Sequence, residues 1–140
     1  MAGQTRRIGR ERAVQALFFL EGHSEGNLEA GLSRFWETLD EETPKASREF
    51  AAELIRGTVP LLRELDEAVQ QHSENWRVER MARVDRNVLR VAAYELLHTE
   101  TPARVVINEA IEVARLYGAE GSPSFVNGLL DKLARAHGKL

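Results

Sequence analysis

Arginine is the residue type with most chemistry to offer in this chain. Arg6, Arg7, Arg10 and Arg12 fall in the first 20 residues against one acid, Glu11, a local net charge of +3 where the whole chain carries −3. A basic arm over residues 1–10 on an acidic body is the footprint of a phosphate-backbone contact, or equally of a solvated helix start. A second row, Arg77, Arg80, Arg83 and Arg86 followed by Arg90, is interrupted by Glu79 and Asp85. Three residues turn a helix by about 300°, so the row drifts around the surface. By itself it reads as an ion-paired helix face. The third feature is Phe125, which follows Ser122-Pro123. Serine there is expected as an N-cap with proline at the first helical position, leaving backbone N–H groups beside the ring. The ring either packs into the core or presents its π face to a ligand.

Catalytic and metal chemistry have little support. The chain has no cysteine. His23, His72, His98 and His137 are far apart in sequence, without the i, i+4 spacing of a zinc helix. Gly118 and Gly121 lack the glycine-lysine pair of a phosphate-binding loop, and no strand precedes Ser122 and Ser124 to make a nucleophile elbow. Glu109 and Glu112 read as solvated or capping acids. No cofactor and no metal are expected. Asn108, set in an apolar run, is expected to tie helices together through backbone groups; for Asn127, beside Gly128, that role and ligand contact both stand.

The elements that must position these residues read as helices. Ala13, Val14, Leu17, Phe18 and Leu20 share a face, ended by Gly22 and His23-Ser24-Glu25-Gly26. Asn27 caps a helix to about Leu39, and another starts near Ser47. Gly57 and Pro60 then predict a kink or break near Thr58. Ser73–Asn75 is a loop, with Trp76 plugging the core edge. Val78–Leu97 suits a central helix with Asp85 in its first turn, closed by Thr101-Pro102. Val106, Ala110, Val113 and Tyr117, with Ile107, Ile111 and Ala114, make one wide buried face. Gly118 closes that helix in a left-handed conformation, a last helix runs from about Ser124 to Ala136, and residues 137–140 fray. Nothing alternates like a half-buried strand. The expectation is one all-α domain over residues 1–140, a compact bundle of six to seven helices in two packed groups. No signal core and no membrane-length segment is present, so a soluble, cytoplasmic protein is expected.

Three dispersed blocks, in order, resemble the NusB family of bacterial transcription antitermination factors. Arg6-Arg7 with Arg10-Glu11 and Ala13-Val14-Gln15-Ala16-Leu17 form the first. Val84-Asp85, Leu89-Arg90 and Ala93-Tyr94-Glu95-Leu96 form the second. Val106-Ile107-Asn108-Glu109-Ala110 with Phe125-Val126-Asn127-Gly128-Leu129-Leu130-Asp131 form the third. The resemblance runs from about Arg6 to Leu133. It implies an all-helical fold of two packed subdomains, binding of single-stranded boxA RNA from ribosomal RNA leader transcripts, NusE (a small-subunit ribosomal protein) as partner, and action on elongating RNA polymerase without catalytic residues. It implies an RNA surface of Arg6, Arg7, Arg10, Gly121, Ser122, Phe125 and Asn127, extended by Arg83 and Arg86. It implies a NusE-facing side of Phe18, Glu79, Arg80 and Arg83. Apart from the resemblance, monomer and homodimer both stand; an apolar partner side that pairs with a second copy would be hidden in a homodimer. Phe18 stands where many members carry tyrosine, and Gly121 where many carry a polar or charged residue. The alternative is a helical protein-interaction module with incidental RNA binding. The same domain resembles the N-terminal part of certain ribosomal RNA cytosine methyltransferases, whose catalytic cysteines are absent here.

Overall fold

The computed structural model describes residues 2–22 and 26–140. The expected break at His23-Ser24-Glu25, and the surface role expected of His23, lie outside the described residues. Among the described residues there are seven α-helices and no strand: α1 (Ala2–Glu21), α2 (Leu28–Thr38), α3 (Lys45–Thr58), α4 (Leu62–Gln71), α5 (Arg83–His98), α6 (Ala103–Tyr117) and α7 (Ser122–Ala136). Two 3-10 turns, Val59–Leu61 and Val78–Arg80, join them. No helix among the described residues is long and apolar enough to cross a membrane.

The helices pack in two groups. α1 lies against α2 and α3, while α4, α6 and α7 surround α5. α5 also meets α1 and α3, so the groups share one core. Its buried face, Val88, Leu89, Val91, Ala92, Ala93 and Leu96, covers more than half of the turn, as expected of a helix with neighbours on several sides. α1 and α3 approach closely because Gly9 has no side chain: a Cβ there would lie 2.7 Å from the Phe50 ring and 3.0 Å from the Ser47 carbonyl. Ser47 completes the contact by donating its hydroxyl to the Thr5 carbonyl at 2.8 Å.

Local signals explain some of the helix ends. Asn27 caps α2, its side chain accepting from the Ala30 N–H at 2.8 Å. Pro60 sits in the 3-10 turn that separates α3 from α4, because proline removes the backbone donor that a continuous helix would need there. Asp85 lies in the first turn of α5.

Several expectations are corrected. α5 starts at Arg83 and not at Val78: Met81 is buried in extended conformation, so the chain turns inward before the helix begins. Trp76 is 57% exposed and does not plug the core; Val78 and Met81 fill that edge. Tyr117 lies outside the buried face of α6, with 42% of its surface exposed. Asn108 is exposed and ties no helices together. Gly118 is extended (φ −95°, ψ −173°), not left-handed. Its lack of a side chain serves a close approach, since a Cβ would lie 2.6 Å from the Ser122 hydroxyl.

The C-terminal end is also better held than expected. Gly138, at φ +68°, donates to the Arg135 carbonyl, and Lys139 donates to the Ala134 carbonyl at 2.8 Å. This pair of bonds is a Schellman closure, which satisfies the last carbonyls of α7 and draws the chain back onto the helix.

Candidate nucleic-acid interface

The basic arm is the first turns of α1, and helical geometry sends its arginines in different directions. Arg6 is exposed and lies over the Phe50 ring on the α3 side, 4.8 Å from its centroid. It lines an open groove of about 1360 Å³ with Trp36 and Arg48, in which Arg48 lies over Trp36 in the same way. Arg7, about 100° further round, reaches α6. Its Nε and Nη2 donate to the two carboxylate oxygens of Glu109 at 3.1 and 2.8 Å. The Arg7 clamp, and more weakly Arg10, hold the Glu109 carboxyl below the usual carboxylate range against a smaller opposing effect of burial. The same bonds raise the Arg7 guanidinium above its ordinary value.

Arg10 corrects the sequence reading. It is 4% exposed, and both ends of its fork are bonded to Glu95 of α5, at 2.6 and 2.8 Å. A guanidinium committed in this way inside the protein does not reach a phosphate. Its packing spot is the α1–α5 contact, where a cation is tolerated only because the carboxylate and the Phe50 ring face it.

The C-terminal end of α6 meets the middle of α1. The Tyr117 hydroxyl donates to Glu11 at 3.1 Å and stands 3.5 Å from the Gln15 amide. Burial, then the Glu11 charge, raises the phenol further above its ordinary pKa, so it stays a donor. Gly121 is exposed, with open space where a Cβ would be. Ser122 is buried and does not cap α7. Its hydroxyl accepts from the Ala119 N–H at 3.0 Å, which bends the turn back on itself and removes the hydroxyl from solvent. Phe125 is half-buried, packed against the core on one side and open on the other. Asn127 is exposed.

Arg83 and Arg86 belong to another part of the surface. Both donate to Glu21 at the last turn of α1, each at 3.1 Å. Glu21 is 14 residues from Arg7, about 21 Å along the helix. Arg90 joins them, bonded to Glu21 at 2.9 Å and to Asp66 through both ends of its fork at 2.7 Å. Arg86 is only 15% exposed at its side chain. Arg83 lies over the Phe18 ring, 4.5 Å from its centroid, and Phe18 is 43% exposed. Thus Arg83 and Phe18, both expected on the partner side, are brought together. Phe18 therefore lies off the buried face of α1 that it was expected to share with Ala13, Val14 and Leu17. Glu79 and Arg80 sit on the 3-10 turn before α5, with Glu79 paired to Arg77 at 3.0 Å. A backbone hydrogen bond at Glu79, then Arg77, lowers the Glu79 carboxyl.

Among the histidines, His72 and His137 come together, rings edge to face at 6.5 Å. Among the described residues no group of three or more potential ligands could hold a metal ion. Sequence reasoning missed the roles of the carboxylates Glu21, Glu95 and Glu109, which neutralise most of the expected cations; Glu109 is a largely buried ion-pair partner and not the solvated or capping acid expected. Their pairings span 62 to 102 positions, so no local spacing signals them.

The NusB family model matches residues 7–135. The chain belongs to the NusB family. The transcription antitermination protein NusB of Anaeromyxobacter dehalogenans (strain 2CP-1 / ATCC BAA-258) is 50% identical over 125 residues, covering 89% of this chain and 87% of that protein. That of Myxococcus xanthus (strain DK1622) is 45% identical over 138 residues, covering 96% and 97%. A crystal form of T. maritima NusB superposes with a TM-score of 0.80 at 42% identity, covering 93% of this chain and 90% of the other. A crystal structure of antitermination factors NusB and NusE in complex with dsRNA gives 0.80 at 25% identity, covering 95% and 98%. The NusB fold thus spans the described chain from the first turns of α1 to the end of α7.

Proposed function

We infer that this chain is an antitermination factor that binds single-stranded boxA RNA of ribosomal leader transcripts together with NusE, and that the pair acts on elongating RNA polymerase in the cytoplasm. The observation that carries the reading is the NusB match over nearly the whole chain. It is supported by a NusB-fold neighbour described with NusE and RNA. Unpaired RNA needs cations for phosphates and π surfaces for bases. Arg6 and Arg7 supply the first, the open side of Phe125 the second, and Gly121 and Asn127 border that ring in sequence. The NusE side is the exposed Phe18–Arg83 pair with Glu79 and Arg80, some two-thirds of the α1 length away. Two separate surfaces let RNA and protein bind together. A second copy on the Phe18 surface would block NusE, so a homodimer and the NusE complex would exclude each other.

The test is a titration of boxA RNA with and without NusE at two or more salt concentrations. A log-affinity against log-salt slope of about −1.4 to −2.1 is expected for the protein alone, from two or three phosphate contacts at ~0.7 each. NusE should tighten binding. Absence of RNA binding under both conditions overturns the reading.

The pairing of Arg7, Arg83 and Arg86 with carboxylates favours a second reading, a protein-interaction module in which RNA is incidental. In that case NusE affinity is the same with and without RNA.

A further inference from the structure

The geometry points to Glu109 as a specificity-determining residue of the RNA surface: its carboxylate occupies the Arg7 guanidinium, and a phosphate must displace it to bind there. This inference rests on the RNA-binding reading above.

Arg7 offers Nε and Nη2 to the two Glu109 oxygens at 3.1 and 2.8 Å. That two-pronged arrangement is the one through which an arginine takes two phosphate oxygens. The carboxylate therefore fills the recognition geometry itself. The two partners are unequally held. The Arg7 side chain is 50% exposed, whereas that of Glu109 is 15% exposed and also faces Arg10 at 4.0 Å. Arg10 belongs to Glu95, so it gives Glu109 only a distant charge. Two further acids lie near Arg7, Glu112 on α6 and Glu11 on α1. Arg7 is the partner with room to leave.

The consequence is a threshold. When Arg7 turns to a phosphate, Glu109 loses its two hydrogen bonds, and this cost falls on every anion alike. A ligand that makes only scattered phosphate contacts does not offset it. A strand that also meets Arg6 and stacks on Phe125 does. Glu109 thereby weakens general polyanion binding more than it weakens binding of the RNA that fits the whole surface.

The experiment compares wild type, Glu109→Gln, Arg7→Ala and the Arg7→Ala/Glu109→Gln double variant of the full chain. Each is titrated with boxA RNA and with a uridine homopolymer of equal length across a salt series. Glu109→Gln should bind the homopolymer roughly two- to fivefold tighter, the range of an exposed ion pair, with a smaller gain for boxA RNA. Its salt slope should steepen by up to about 0.7, one phosphate contact no longer offset by a freed carboxylate. In the Arg7→Ala background the second substitution should add nothing. An unchanged affinity in Glu109→Gln, or an equal gain without Arg7, overturns the proposal. Wild-type protein that binds neither RNA overturns the RNA-binding reading itself. A measurement on wild type guards against a folding defect: the Glu109 carboxyl, followed by carbon NMR, should titrate higher in the RNA complex than in free protein. No change on complex formation overturns the proposal.

Discussion

Arg10 and Glu95 face each other across the contact of α1 and α5, two nitrogens to two oxygens at 2.6 and 2.8 Å, with 4% and 1% of their surfaces exposed. Removing one partner leaves a buried charge without compensation, which costs about 3–5 kcal/mol. Arg10→Ala should lower the free energy of urea unfolding by that amount. Arg10→Met combined with Glu95→Leu should recover most of it, because the pair's desolvation offsets much of its attraction. A mild effect of Arg10→Ala would mean that the pair is reached by solvent.

The Glu109 clamp predicts an acid-sensitive contribution to stability. The folded protein holds this carboxyl below its ordinary range, so the unfolded chain binds more protons as pH falls. The contribution is fully present above the ordinary carboxylate pKa and is lost as pH falls through the depressed folded value. Wild type should lose stability over that window more steeply than Glu109→Gln, as followed by thermal unfolding between neutral and acid pH. Parallel curves would contradict it.

Gly9 tests the contact that orients the arm. Gly9→Ala should destabilise the protein by about 1–3 kcal/mol despite alanine's better helix propensity, because the methyl group meets both the Phe50 ring and a backbone oxygen. The ring can shift, but the Ser47 carbonyl is fixed in α3. The readout is the denaturation midpoint; a stabilised variant would show that α1 and α3 separate easily.

Phe125→Ala should weaken RNA binding by about 1–3 kcal/mol, roughly five- to 150-fold, if one base stacks on the ring. Since the ring also packs against the core, the unfolding midpoint is measured in parallel, and Phe125→Leu keeps the packing while removing the π face. Equal RNA affinity in wild type and Phe125→Leu would exclude stacking.

Phe18 and Arg83 should act as one unit towards NusE. Each alanine substitution should weaken NusE binding and leave binding of RNA alone within twofold. Their double-mutant cycle should give a coupling of about 0.5–1 kcal/mol, the strength of an exposed cation–π contact. Additive losses would mean that the two side chains contact the partner separately.

Much of the fold was legible because its signals are local. The 3.6-residue apolar period marks α2, α6 and the core face of α5, and Asn27 and Pro60 punctuate the chain through their own backbone chemistry. Where local cues competed with burial, they failed. The apolar pattern suggests a helix from Val78, but Val78 and Met81 are both buried and the extended step at Met81 delays α5 to Arg83. Ser122 had the sequence of an N-cap, yet its hydroxyl satisfies Ala119 across the turn.

The site divides along the same line. Residue type and order alone determined an all-helical NusB-family chain with a cationic first segment, since those properties are carried by neighbours in sequence. Which cations remain available was decided only by the tertiary structure. Arg10, Arg7 and Arg83 look alike in a string of letters. Packing buries the first against Glu95, clamps the second to Glu109, and lays the third over Phe18 while tying it to Glu21. The physical reason is that a charge is set by its solvation and its counter-charge, and folding supplies both from far along the chain.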